Sequence, residues 1–102
     1  MYLTIFSALF LSLAAGAAHA YECKIPEAQV IGTVIKSDLA GQECNTVVEL
    51  DQVNPHVFCP LNLGVGQRVS VIAQKRGDRC PLSGEAISGV VQKIDGQLRF
   101  DE

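Results

Sequence analysis

Ala86-Ile-Ser-Gly-Val-Val-Gln-Lys-Ile-Asp-Gly-Gln-Leu-Arg-Phe100 is two β-like runs joined by Asp95-Gly96. An Asp-Gly pair between such runs specifies a tight hairpin, because a type I′ turn needs positive φ at both central residues. The period on either side is that of a strand, with β-branched residues and no helical spacing. This hairpin sets the class of the whole chain, since the segments before it repeat the same grammar.

Upstream, residues 75 to 85 carry Gly77, Pro81, Ser83 and Gly84 and read as a loop. Before them, Gln67-Arg-Val-Ser-Val-Ile-Ala-Gln74 alternates, with Val69, Val71 and Ala73 on one face. Leu63-Gly-Val-Gly66 is the turn leading into it. His56-Val-Phe-Cys59 reads as a short strand after a turn at Asn54-Pro55. Cys44, Thr46, Val48 and Leu50 share one side of a further strand, opposite Asn45 and Glu49. Gln29-Val-Ile-Gly-Thr-Val-Ile-Lys36 is apolar on both faces, as a central strand would be. Six short strands in about eighty residues predict a small all-β sandwich or barrel. An OB-like barrel is the alternative, because Leu63-Gly-Val-Gly-Gln-Arg-Val-Ser-Val resembles the glycine-turn strand entry of such barrels.

The N-terminal stretch has a different character. From Tyr2 to Ala20 there is no Asp, Glu, Lys or Arg, and the apolar run ends in Ala18-His19-Ala20, the small-x-small pattern of a signal peptidase site. A membrane anchor would need about 20 predominantly apolar residues, and Ser7, Ser12, Gly16 and His19 interrupt this one. Residues 1–20 therefore read as a secretory signal, with a single mature domain at 21–102 and no membrane span after cleavage. The missing basic n-region points towards a eukaryotic source.

Four cysteines, Cys23, Cys44, Cys59 and Cys80, then enter an oxidising compartment. With no Cys-x-x-Cys pair and one mature histidine, two disulfides are expected rather than a metal site. A hairpin centred near Asp51 and Gln52 would set Cys44 opposite Cys59. This favours the nested arrangement Cys23–Cys80 with Cys44–Cys59, although sequence alone permits all three connectivities.

Candidate chemistry is sparse. His56 follows Pro55 at a turn, where histidine is ordinarily a solvated strand-end residue. Glu49 and Asp51 could form an acid/base couple, but same-face carboxylates on an alternating strand are normally its wet side. Gly64-x-Gly66 lacks the helix and lysine of a nucleotide-binding loop. No enzyme activity, cofactor or metal is expected. A net charge of −3 excludes strong attraction to nucleic acid or anionic membranes. The one basic cluster, Lys75, Arg76 and Arg79, is the candidate binding site for a protein or anionic ligand. It contains Arg76-Gly77-Asp78, the tripeptide of integrin ligands, which also arises by chance in turns.

The unusual signal, short mature chain and paired cysteines resemble the small secreted effectors of plant-pathogenic fungi, in particular the ToxB-like, or MAX, class. That resemblance implies two packed three-stranded sheets, with a disulfide tethering the first strand through Cys23 to Cys59 or Cys80. It also brings forward the interleaved pairing, Cys23–Cys59 with Cys44–Cys80. Its functional implication is a secreted, non-enzymatic virulence protein that binds a host component. A periplasmic or extracellular OB-like accessory or inhibitor protein is the alternative.

Overall fold

The computed structural model describes residues 23–102; the expected signal segment 1–20 and its expected cleavage site lie outside them. The chain forms five strands: β1 (Glu27–Ala40), β2 (Glu43–Pro55), β3 (Arg68–Gln74), β4 (Ala86–Ile94) and β5 (Gln97–Asp101). They close into a barrel in the order β1-β2-β3-β5-β4. All neighbouring pairs are antiparallel except β3·β5, which is parallel and spans only Ile72↔Arg99 and Ala73↔Phe100. A five-stranded barrel with this order and closure is OB-like. The expected small disulfide-stapled β architecture is therefore present, as a barrel rather than a two-sheet sandwich.

The period-2 reading locates the core. Cys44, Thr46, Val48 and Leu50 are all buried on the inner side of β2, and Val69, Val71 and Ala73 on that of β3. Ala28, Val30 and Val34 of β1, Ile87 and Val91 of β4, and Phe100 of β5 complete it. Thr46 is the one buried polar side chain among these. Its hydroxyl lies 2.8 Å from Ser37 Oγ, so the hydrogen-bonding need that burial would leave open is met. β1 is less symmetric than its composition suggests: Ile31 keeps 42% of its surface exposed, because only the inner face of a barrel strand is covered.

The Asp95-Gly96 turn forms as read, with φ of 52° and 78° and Ile94 paired with Gln97. Gly89, earlier in the same hairpin, is required for a different reason. A Cβ there would strike the Asp101 carbonyl oxygen and lie 2.8 Å from Phe100 Cζ, so only glycine lets β5 and its buried ring settle against β4.

Two expectations are corrected. There is no strand at His56–Cys59, which makes five strands rather than six. β2 instead runs through the supposed turn to Pro55, with Gln52 opposite Ile31 and Asn54 opposite Gln29. The reversal comes earlier, at Gly41-Gln42, and joins two long strands. The nested disulfides fall with that turn. At about 3.3 Å per residue, Pro55 lies roughly 35 Å of strand beyond Cys44, so Cys59 cannot fold back onto it. The bonds are Cys23–Cys59 and Cys44–Cys80, with Cα–Cα distances of 5.2 and 5.7 Å. The first ties the segment before β1 to the β2–β3 loop, and the second ties the start of β2 to the β3–β4 loop.

Candidate functional site

The basic loop between β3 and β4 is a tight reversal. Arg76 N–H donates to the Arg79 carbonyl at 2.8 Å, and Arg79 N–H to that of Arg76 at 3.4 Å. Gly77 and Asp78 form its exposed tip. The three cations of the candidate binding cluster are engaged differently. Arg76 is held between two carboxylates, Glu85 at 2.6 Å and Glu102 at 2.7 Å. Its guanidinium is pushed above its ordinary value, chiefly by the hydrogen bond to Glu102, with the charges of both carboxylates adding and partial burial opposing. This clamp fastens the C-terminal residue to the loop and occupies the arginine of the Arg-Gly-Asp tripeptide. Lys75 is half-buried, and Arg79 is exposed.

The carboxylates considered for acid/base work are also engaged separately. Glu49 faces Arg68 across β2·β3 at 3.6 Å. Asp51 accepts a hydrogen bond from the Thr33 hydroxyl at 3.1 Å, beside the register shift between Ile31 and Gly32. The four cysteines are all consumed in disulfides, so no thiolate is left as a metal ligand or nucleophile.

Two concavities lie on opposite halves of the long β1–β2 hairpin. The larger, a cleft of about 640 Å³, spans Lys36 and Asp38 of β1, Asn45 and Val47 of β2, Ser70 and Ile72 of β3, and the β4–β5 turn at Gly96-Gln97. It follows the stretch where β3 and β5 have parted, since they pair at only two positions. The mix of one cation, one anion, amides and aliphatic surface suits a polar ligand or a protein surface. None of the lining side chains is aromatic, so the stacking platform on which single-stranded nucleic acid depends is missing from this face.

The second concavity runs over the proximal half, across Gln29 and Ile31 of β1, Gln52 and Asn54 of β2, and Ser88 of β4. It adjoins a smaller hollow beside His56 and Val57. His56 is the residue whose role the sequence concealed. Its Nδ1 accepts hydrogen bonds from the backbone N–H of Phe58 at 3.2 Å and of Cys59 at 3.1 Å, while Nε2 lies 4.0 Å from Glu27 Oε1. These contacts shape the loop. Val57 and Phe58, expected in a strand, stand at the outside of that loop with 86% and 72% of their surface exposed. Pro55 and Pro60 bracket the segment and were the available signal, because proline is confined to strand edges and ends.

No family model matches the chain, nor does any curated protein or solved structure. No helix among the described residues is long and apolar enough to cross a membrane. The fold defines an all-β, disulfide-stapled, closed five-stranded barrel.

Proposed function

We propose that this chain is an exported, non-enzymatic binding protein: an OB-like accessory or inhibitor module working in an oxidising compartment outside the cell or in the periplasm. The observation that carries the reading is the 640 Å³ cleft on the outer β1–β2–β3 face, flanked by the β4–β5 turn. OB-type barrels present their ligands to this same face and turn, and the disulfides suit an oxidising compartment. The ligand class favoured by the lining is a protein surface with mixed polar character.

The test is site-specific photo-crosslinking in the secreting cells, with a photoreactive residue in place of Ile72, Gln97 or, as a control outside the cleft, Asp78. A discrete protein adduct from Ile72 and Gln97 but not from Asp78 is the expected result. Equal, diffuse adducts from all three positions would remove the cleft from the account. Intact mass of the exported protein checks the export step separately, and a chain beginning at Tyr21 is the expected product.

A second reading, a secreted fungal effector of ToxB-like kind acting on a host component, draws support from the interleaved disulfide order that this resemblance implies. Infection assays with a deletion strain distinguish the two, since an accessory protein leaves virulence unchanged.

A further inference from the structure

Val57 and Phe58 are the two most exposed large apolar side chains among the described residues, and they are consecutive. The loop that carries them is held from several directions. Cys59 is bonded to Cys23. The Glu27 N–H donates to the Cys59 carbonyl, and the Glu27 carbonyl accepts from His56 and Leu61 N–H, each at 3.0 Å. His56 Nδ1 accepts the two N–H groups at the apex. Apolar side chains on a loop tied this firmly lose little conformational freedom on docking, the situation in which a few residues dominate an interface.

Next to the tip lies the proximal groove, about 360 Å³, beside the 240 Å³ hollow with which it shares the lining residues Gln29 and Asn54. Its polar lining is amide and hydroxyl: Gln29, Gln52, Asn54 and Ser88. None of these four side chains hydrogen-bonds another described residue, so their donors and acceptors are open to a ligand. Glu27 is the one carboxylate in the combined lining, His56 its one other titratable group, and no lysine or arginine contributes.

We propose that Val57 and Phe58, with this groove, form a second docking surface, separate from the cleft, for a folded protein partner that offers an apolar pocket beside uncharged main-chain or amide groups. An apolar anchor beside a rim of amides and a hydroxyl, with Glu27 its single carboxylate, matches the apolar core and polar rim of a protein interface. An anionic lipid headgroup or a nucleic-acid phosphate would call for the cations that this lining lacks.

The probe is a set of disulfide-constrained peptides selected from a phage-displayed library on the intact mature protein. Their affinities are measured by calorimetry against the wild type and four variants. Val57→Ser/Phe58→Ser is expected to weaken binding about tenfold or more. Gln29→Ala/Asn54→Ala should weaken it several-fold, and Phe58→Leu should retain most of it. Ile72→Arg, in the cleft, should leave it unchanged, which separates this surface from the proposed function. The serine pair sits at exposed positions, and unchanged amide spectra with both disulfides intact establish that it is folded. Peptides that bind the serine pair as tightly as the wild type would overturn the proposal, as would a selection yielding no binder. Binding to phosphatidylcholine/phosphatidylglycerol vesicles that the serine pair abolishes would overturn it in favour of a membrane anchor. Self-association abolished by the same pair would overturn it in favour of a second copy.

Discussion

At the scale of single residues, several side chains act through geometry that their identity alone conceals. His56 looks like a solvated histidine, yet it organises the β2–β3 loop by accepting two backbone N–H groups. His56→Ala should therefore speed hydrogen exchange at the Phe58 and Cys59 amides while leaving core amides as they were. Uniform protection across the variant would contradict that role. Gly89 has the strictest requirement: Gly89→Ala should destabilise by roughly 1–3 kcal/mol, as overpacking does, measured by chemical denaturation. Arg76 and Arg79 are indistinguishable in the sequence but not in the fold. Arg76→Ala loses two carboxylate contacts on a partly exposed side chain, a cost below about 1 kcal/mol after solvent screening. Arg79→Ala should cost nothing measurable. The basic cluster was visible as a cluster; the engagement of Arg76 was not, because Glu85 and the chain end Glu102 reach it only through the barrel closure.

At the scale of elements, what was legible follows from how strongly the period is written. Cys44 to Leu50 and Val69 to Ala73 alternate without interruption, and their buried faces fell where the alternation put them. The Asp95-Gly96 turn was legible because its backbone demand is specific to those residue types. The failures lie where polar residues continue a strand. Asp51-Gln-Val-Asn-Pro55 breaks the alternation and ends in proline, so it resembles a turn, but a register shift lets β2 carry on against β1. Ser37-Asp-Leu-Ala40 extends β1 in the same inconspicuous way. Hydrogen exchange offers a check at this scale. Amides beyond Asp51, at Gln52 and Asn54, should be protected by their pairing with Ile31 and Gln29, whereas a turn there would leave them fast. The apolar display at Val57 and Phe58 was hidden by the same error, since a strand assignment buried them by implication.

At the scale of the molecule, a domain of this size depends on its covalent closures. Each disulfide spans a sequence separation of 36, worth about 4 kcal/mol in the chain-entropy model, with less than additive gain because the loops interleave. That is comparable to the net stability of a small domain, about 5 kcal/mol. Reduction under native conditions should therefore abolish the cooperative thermal transition, and a reduced protein that still melts cooperatively would show the barrel to be self-sufficient. The two bonds also secure the two loops proposed or considered as binding surfaces: Cys23–Cys59 fixes the Val57-Phe58 loop, and Cys44–Cys80 fixes the base of the basic loop against β2.

The interleaving of those bonds is thus the claim on which both the barrel and its displayed surfaces depend, and non-reducing peptide mapping tests it most directly. Trypsin alone is insufficient, because residues 37–68 hold both Cys44 and Cys59 without an internal Lys or Arg before Arg68. A second cleavage at Glu49 or Asp51 separates them. The expected result is one linked pair containing Cys23 with Cys59 and another containing Cys44 with Cys80. A fragment in which Cys44 is linked to Cys59 would contradict the continuous β2 strand, the barrel built on it and the loop that presents Phe58.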